Sequence, residues 1–410
     1  MDKINILEEN KREKQKEEEI WSWGAGTDGQ LATGRLQDEH SPQPLRSLSA
    51  FGPFASLSCG GAHVITLTPG GRVFTWGRGT SGQLGHGEMI SCLQPNEVKA
   101  LEGFVVTCVS AGWNHSGFVT DNGAVFTCGD GLFGQLGHGD YESKCSPLEV
   151  LYFSSKHVEQ VACGMRHTLA LLKGAVEHKV YGFGSGKRGQ LGTSTGIVKS
   201  TSVPQATLCL TDVEIAGICA NGDQSAALSA TGSLYTWGRG YRNTSRVCIP
   251  HRIDTALSFH QVALGWNHAL LLTREGKLYM LGGDHHGVLS NPHKTPLMKD
   301  GEKTEDVLLK LIDLEETAVL QIAAGSEHSA LVTDKGSVMT WGWGEHGQLG
   351  LGDTFDKTCP QPVSLGSEVA GKHATPSVYC GSGFCFVLRN FDVHFQVDEP
   401  NISLNDAMTR

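Results

Sequence analysis

Five histidines recur in one short phrase of the chain, and imidazole is the side chain best suited to metal binding or proton transfer near neutral pH. The phrase is Gly-x-x-His followed by an apolar strand, and it supplies His63, His115, His167, His268 and His328. Two further copies carry Gln224 and Phe384 at this position. Side chains spread over repeats at intervals of roughly 50 residues or twice that cannot converge on one ion. We therefore predict structural imidazoles that hydrogen-bond backbone groups of the adjoining turn.

The remaining groups that could do chemistry form no motif. The chain has 12 cysteines without a Cys-x-x-Cys pair, and the closest two are Cys380 and Cys385. Paired spacing is typical of zinc sites, so no metal is predicted, and no cofactor either. No Ser/His/Asp order or carboxylate pair stands out against the repeats. The sequence thus favours a protein that is not an enzyme.

Charge and hydropathy exclude several partners. The net charge of the 410 residues is −10 and no cluster of Lys and Arg occurs, so direct binding of nucleic acid is not expected. No apolar run is long enough to span a membrane, and residues 8–19, EENKREKQKEEE, are unlike a signal peptide. Cysteines inside apolar strands indicate reduced core residues, which predicts a cytoplasmic or nuclear location.

A second phrase shows which elements must position these groups. A β-branched or aromatic strand ends in aromatic-Gly and is followed by Gly-Gln-Leu-Gly, as in VFTWGRGTSGQLG from Val73. Seven copies occur, of which those from Leu234 and Leu278 are degraded, and their marker glycines, including Gly77, Gly129 and Gly342, are predicted to be structural turn residues with positive φ. Each repeat of about 50 residues holds four strand-length segments, which predicts a β-propeller blade.

The chain ends indicate how the ring closes. The sequence opens on the third strand of a blade, Ile20 to Gly24, and ends with the first two strands, Ser377 to Cys380 and Phe384 to Leu388. We predict an all-β, seven-bladed propeller whose closing blade is shared between the N- and C-terminal strands. Residues 20–390 form the propeller, 1–19 a charged N-terminal tail and 391–410 a polar C-terminal tail.

The pairing of Gly-x-x-His with Trp-Gly-x-Gly-x-x-Gly-Gln-Leu-Gly resembles the RCC1 (regulator of chromosome condensation) repeat, over roughly residues 20–390. The resemblance implies an RCC1-type propeller and three kinds of function. Members of this family include exchange factors for a Ran-type small GTPase, the plant ultraviolet-B receptor, and proteins that bind other proteins without chemistry of their own.

The family's specialised sites match only in part. The Ran exchanger carries acidic residues before the repeat His in its second and third repeats, where this chain has Trp113-Asn114 and Met165-Arg166; acidic residues occur instead at Asp223 and Glu327. The ultraviolet-B receptor needs stacked Trp residues flanked by Arg. Here Trp113 and Trp266 stand three repeats apart without an adjacent Arg, which argues against a stacked pair.

The sequence therefore favours a protein-binding scaffold or regulator, with nucleotide exchange on a small GTPase as the alternative and ultraviolet sensing as a more distant one. Trp113 and Trp266 lie in loops at one rim of the predicted ring, where a rigid aromatic side chain can anchor a partner. Asp223 and Glu327 are the acidic candidates for partner contacts. A protein partner, with a small GTPase as one candidate, is expected; the oligomeric state stays open.

Overall fold

Alternating apolar patterns and glycine turns produce a ring of seven four-stranded sheets. The computed structural model describes residues 16–174, 179–240, 246–282, 308–310, 314, 317–366 and 375–392. Within these ranges the chain forms 28 strands, and every described pair of neighbouring strands within a sheet is antiparallel. The prediction of an all-β, seven-bladed propeller is confirmed. No helix in the described ranges has the length and apolar character needed to cross a membrane.

The strands follow the repeat in chain order. The closing blade's outer half and blades 1 to 3 contain β1 (Lys16–Gly24), β2 (Glu39–Pro44), β3 (Ser56–Cys59), β4 (His63–Leu67), β5 (Val73–Gly77), β6 (Cys92–Glu97), β7 (Val106–Ala111), β8 (His115–Thr120), β9 (Val125–Gly129), β10 (Lys144–Glu149), β11 (Val158–Cys163), β12 (His167–Leu172), β13 (Val180–Ser185) and β14 (Ser200–Ala206). Blades 4 to 6 and the closing blade's inner half contain β15 (Ile215–Asn221), β16 (Gln224–Ser229), β17 (Leu234–Arg239), β18 (Arg246–Arg252), β19 (Phe259–Leu264), β20 (His268–Thr273), β21 (Leu278–Gly282), β22 (Leu308–Lys310), β23 (Val319–Ala324), β24 (His328–Thr333), β25 (Val338–Gly342), β26 (Lys357–Pro362), β27 (Ser377–Cys380) and β28 (Phe384–Asp392). Short 3₁₀ turns lie at Arg46–Phe51, Lys99–Leu101 and Leu151–Phe153.

The closing blade joins the two ends of the chain, as predicted. Its strand order is β2-β1-β28-β27, so the N-terminal segment supplies the outer strands and the C-terminal segment the inner ones. β1 pairs with β28 from Lys16 opposite Asp392 to Gly24 opposite Phe384. Backbone pairing thus extends beyond the predicted limits of residues 20 and 390, because the two extended ends continue to satisfy each other's hydrogen bonds. The rest of the predicted tails, 1–15 and 393–410, lies outside the described residues.

The hydrophobic core lies between blades. Seven clusters of buried side chains each join two neighbouring blades. In the second strand of each blade, successive side chains point to opposite faces of the sheet and therefore toward different neighbouring blades. Val64 packs toward the closing blade, whereas Ile65 packs toward blade 2. Both faces of each sheet are therefore covered, and no single blade has a core of its own.

Gly-Gln-Leu-Gly turns connect neighbouring blades where the phrase occurs. The backbone carbonyl of Gln30 accepts a hydrogen bond of 2.9 Å from Trp76 Nε1 of blade 1. The carbonyl of Gln190 accepts an equivalent bond of 2.9 Å from Trp237 Nε1 of blade 4. Each glutamine side chain also closes its own turn, as where Gln190 Oε1 accepts the Arg188 backbone N–H at 2.8 Å. The backbone carbonyl of this glutamine joins two blades and its side chain closes the turn, which explains why the Gly-Gln-Leu-Gly phrase recurs.

Candidate protein-binding face

One face of the ring gathers the residues singled out by the sequence. We call it the GxxH face; it consists of the turns between the first and second strands of the blades together with the Gly-Gln-Leu-Gly turns. Both sets of turns lie on this side because the start of each second strand pairs with the end of the third, as His115 does with Gly129. The first strands line a central channel, and its cavity of about 420 Å³ extends to the Gly-x-x-His turns of this face.

The five repeat histidines form a buried belt between blades. Each Nε2 atom contacts a side chain of the next blade, that of the residue directly after the Gly-x-x-His position. The pairs are His63–Ser116 (2.9 Å), His115–Thr168 (2.9 Å), His167–Ser225 (2.9 Å), His268–Ser329 (3.0 Å) and His328–Cys385 (3.2 Å). The predicted structural role fits this belt, but the predicted partner of Nε2 was wrong. It is a side chain of the next blade rather than backbone of the adjoining turn, because ring packing points each imidazole across the blade boundary.

The hydroxyl partners determine which ring nitrogen carries the proton. Ser116 Oγ donates its only proton to the Gln83 carbonyl at 2.7 Å, and Thr168 Oγ1 donates to the Gln135 carbonyl at 2.8 Å. The hydroxyls must therefore accept a hydrogen bond from Nε2–H of the preceding blade's histidine. His63 Nδ1 is buried without a hydrogen-bond partner, which is consistent with a neutral imidazole protonated at Nε2.

Burial keeps four of the belt imidazoles uncharged. It lowers the pKa of His63, His167 and His268 to about 3 and that of His115 to about 4, because the charged form loses its hydration. A neutral imidazole held between two blades and shielded from solvent is not placed to exchange protons with a substrate. The belt therefore positions the face rather than performing chemistry.

Two blades depart from the belt in a correlated way. Gln224 replaces histidine in blade 4, and the following blade carries Ala269 where a hydroxyl would stand; the amide donates instead to the Trp266 carbonyl at 3.0 Å. Phe384 replaces histidine in the closing blade, and the following blade carries Val64, which packs in the same cluster. An imidazole and its hydroxyl or thiol partner are thus present or absent together, since either one alone would leave a buried polar group unpaired.

The marker glycines support the turns of this face. Gly77, Gly129 and Gly342 have φ values of +95°, +109° and +104°, which confirms the predicted positive φ. A Cβ atom at Gly129 would lie 2.4 Å from the Asn114 carbonyl oxygen, and one at Gly77 would lie 2.4 Å from the Ala62 carbonyl oxygen. The third strand therefore passes the Gly-x-x-His turn more closely than any side chain would allow.

Trp113 and Trp266 meet over the mouth of the channel. Their ring centroids are 5.2 Å apart with an interplanar angle of 51°, although the residues belong to blades 2 and 5. The expectation that three repeats of separation would keep them apart was wrong, because opposite sides of a ring converge at its axis. The Arg78 guanidinium lies 5.8 Å from the Trp113 ring centroid, and its Nη2 donates to Asn114 Oδ1 at 3.1 Å. Both indoles are half-buried, so part of each faces solvent.

Backbone contacts hold the two tryptophans in place. The Trp113 backbone N–H donates to the Gly164 carbonyl at 3.1 Å, and the Trp266 backbone N–H donates to the Ser326 carbonyl at 2.9 Å. Each turn is therefore bonded to the turn of the next blade. Rigid aromatic side chains of this kind lose little conformational entropy when a partner covers them.

The two acidic candidates lie on either side of Trp266. Asp223 of blade 4 accepts a hydrogen bond from Gln190 Nε2 at 3.0 Å, and Glu327 of blade 6 accepts one from Asn267 Nδ2 at 2.9 Å. Both carboxylates are half-buried. The structure thus brings all four predicted partner-contact residues to the GxxH face, with Trp113 in contact with Trp266 and the two carboxylates in the blades that flank it. Their use in binding stays a prediction.

Sequence spacing missed one group of side chains. Among the described residues, His328, Cys380 and Cys385 are the three potential ligands whose donor atoms all lie within 4.8 Å of one another. Burial opposes ionisation at Cys380, but hydrogen bonds with Cys385 and His328 lower its pKa to about 6. The group was missed because it combines the closest cysteine pair in the sequence with a histidine from another blade.

Comparison with known proteins agrees with this architecture. A family model described as an RCC1-like domain matches residues 19–387. The ultraviolet-B receptor UVR8 of Arabidopsis thaliana is 30% identical over 370 residues, covering 87% of this chain and 81% of the receptor. The secretion-regulating guanine nucleotide exchange factor of Mus musculus is 30% identical over 399 residues, covering 92% of this chain and 84% of that protein.

Solved structures show the same fold. Human WBSCR16 matches with a TM-score of 0.75 and 24% identity, covering 91% of this chain and 99% of that one. Prp20p of Saccharomyces cerevisiae matches with a TM-score of 0.75 and 23% identity, covering 91% of each chain. At this level of identity the likeness concerns architecture alone.

Proposed function

The chain belongs to the RCC1-like domain family, and from that premise we propose that it is a protein-binding scaffold or regulator whose GxxH face holds a protein partner. The observation that carries the proposal is the Trp113–Trp266 pair, whose half-buried rings touch over the channel mouth. Aromatic side chains that are rigid and partly exposed are the residues that most often dominate binding energy at protein interfaces. The neutral histidine belt beneath the face supports a binding role rather than catalysis.

The charge of the face suggests the chemistry of the partner. Asp223 and Glu327 belong to the two blades that flank the blade of Trp266, and each carboxylate accepts a hydrogen bond from a side-chain amide. A carboxylate oriented in this way can accept further hydrogen bonds from Arg or Lys of a partner. We therefore propose that the partner presents a basic segment next to an apolar one. A cytoplasmic or nuclear location is part of the proposal and is supported by twelve free thiols.

A binding experiment tests the scaffold. Partners captured on the full chain are identified by cross-linking and mass spectrometry, and their affinities are then measured by calorimetry for the wild type, Trp266→Ala and Leu151→Ala. Leu151 is a matched control because it is 72% exposed and follows β10 at the opposite face. We expect Trp266→Ala to weaken binding about 30-fold, since truncating a central aromatic residue costs about 2 kcal/mol.

Two results would oppose the scaffold proposal. If Trp266→Ala binds the identified partner as tightly as the wild type does, the channel mouth is not the binding site. If Leu151→Ala abolishes binding instead, the partner occupies the opposite face.

Guanine-nucleotide exchange on a small GTPase is the second candidate. It is favoured by the similarity to a protein named as a guanine nucleotide exchange factor and by the two carboxylates on the GxxH face. Exchange requires no chemistry on the nucleotide, only tighter binding of the nucleotide-free GTPase, which weakens nucleotide affinity by linkage.

The exchange assay uses Ran-, Rab- and Arf-type GTPases loaded with fluorescent GDP. Accelerated release by the wild type, reduced in Asp223→Asn and Glu327→Gln, would establish exchange activity. Unchanged release rates for every GTPase would leave only the scaffold.

A further inference from the structure

The seam between blade 6 and the closing blade contains the group formed by His328, Cys380 and Cys385. The two sulfur atoms are 3.6 Å apart, and His328 Nε2 lies 3.2 Å from Cys385 Sγ. Cys380 and Cys385 stand directly opposite each other on β27 and β28. Two thiols and an imidazole therefore converge from three strands of two blades.

The repeat shows that this arrangement is a departure from the rule. The position of Cys385 carries a hydroxyl in the other blades whose preceding neighbour supplies a histidine: Ser116, Thr168, Ser225 and Ser329. Blade 3 has a cysteine, Cys163, at the position of Cys380. The residue opposite Cys163 is Thr168, however, so His115 of the preceding blade contacts a hydroxyl and not a second thiol. Hydrogen bonding alone is satisfied by a hydroxyl, so a second thiol at this seam calls for another explanation.

We propose that His328, Cys380 and Cys385 form a Zn²⁺ site with three protein ligands. Tetrahedral zinc with ordinary bond lengths places two thiolate sulfurs about 3.8 Å apart and a sulfur and an imidazole nitrogen about 3.5 Å apart. The observed 3.6 Å and 3.2 Å lie within a few tenths of an ångström of these separations. Two thiolates and one imidazole form a soft ligand set that suits zinc.

The channel supplies a route to this site and room for a fourth ligand. Cys380 is half-buried and lines the cavity of about 420 Å³, whereas Cys385 is fully buried behind it. A hydrated ion entering through the channel meets Cys380 first and keeps one position toward the cavity. Cys59 of blade 1 lines the same cavity.

Zinc at this site has a structural consequence for the ring. His328 belongs to blade 6, whereas both cysteines belong to the C-terminal half of the closing blade. The ion would cross-link the last complete blade to the strands that pair with the N-terminal segment. Because a metal that binds only the folded state stabilises it by mass action, zinc would raise the stability of ring closure.

The test uses the full chain, purified under reducing conditions, stripped with a chelator and dialysed. Zn²⁺ binding is measured by competition with a chromophoric chelator, and Co²⁺ is used as a spectroscopic probe. We expect one Zn²⁺ per chain, a thiolate-to-cobalt charge-transfer band, and a higher melting temperature when Zn²⁺ is added.

Two variants separate metal binding from folding. Cys385→Ser keeps a hydrogen-bond partner for His328, as Ser329 does for His268, and is expected to fold but to bind Zn²⁺ at least about 100-fold more weakly. Cys163→Ser changes another buried thiol that lines the channel and is expected to bind as the wild type does.

The proposal fails if the stripped wild type binds no more Zn²⁺ than Cys385→Ser does. It also fails if the Co²⁺ complex lacks a thiolate charge-transfer band, or if Cys163→Ser abolishes binding as completely as Cys385→Ser. None of these outcomes depends on whether the GxxH face binds a protein.

Discussion

Acid should destabilise the ring through the histidine belt. Burial lowers the pKa of His63, His115, His167 and His268 to between about 3 and about 4, whereas the ordinary value is 6.5. At pH values between the folded-state pKa and the ordinary pKa, these histidines are protonated in the unfolded chain but not in the folded one. The stability contributed by the neutral imidazoles is therefore complete above pH 6.5 and is lost as the pH falls toward the folded-state pKa values.

The magnitude follows from the proton balance. Lowering the pH from about 7.5 to about 5.5 costs about 1.4 kcal/mol for each imidazole that stays neutral in the folded state. Four such residues together cost about 5.5 kcal/mol, which is comparable to the whole stability of many domains. Replacing His115 by Gln removes one of the four, and Gln224 shows that the belt accepts an amide at this position. Its loss over the same pH interval should be about 4 kcal/mol.

The assay is urea unfolding followed by tryptophan fluorescence at both pH values. His157→Gln is the control, because it removes an exposed imidazole and should leave the wild-type loss unchanged. The reasoning is refuted if His115→Gln loses as much stability on acidification as the wild type does. It is also refuted if NMR shows His115 titrating in the folded protein with its ordinary pKa.

Three further predictions concern the ring itself. Gly129→Ala should reduce the free energy of unfolding by more than about 2 kcal/mol, since its Cβ would lie 2.4 Å from a carbonyl oxygen. Gly103→Ala is the control: Gly103 has φ +88° but open space around it, so the substitution should cost about 1 kcal/mol. Chemical denaturation of both variants measures the difference. Trp23→Ala should cost about 3–5 kcal/mol, because it removes a fully buried side chain and its 2.9 Å hydrogen bond to the Gln348 carbonyl; an unchanged midpoint of unfolding would contradict this. Deleting residues 377–410 removes β27 and β28, and with β28 the inner partner of β1, so circular dichroism should show loss of cooperative unfolding; a native-like melt would contradict a stabilising role of the shared closing blade.

The fold followed from local signals. Val73 to Gly77 and its counterparts are short, largely apolar runs of strand length, and the marker glycines show where each strand must turn. The incomplete blades at the two chain ends predicted the shared closing blade. These features were predictable because each depends on residues that are near one another in the chain.

The site was predictable only as a set of positions. The turn residues Trp113, Asp223, Trp266 and Glu327 could be placed on one rim because they occupy equivalent places in different blades. The contact between the tryptophans could not be predicted, since it depends on the ring's diameter and on side-chain directions. The histidine partners were mispredicted for the same reason, although the residue that follows the repeat position in the next blade carried the signal.

By itself, the sequence determined the number of blades, their strand order and the blade that joins the chain ends, because turn glycines and short apolar runs act over a few residues. Only the tertiary structure decided which side chains meet. The Trp113–Trp266 pair, the belt of imidazoles and the group of His328 with two thiols each join different blades. Their distances are determined by how the sheets pack around the axis, and the spacing of residues along the chain does not encode that packing.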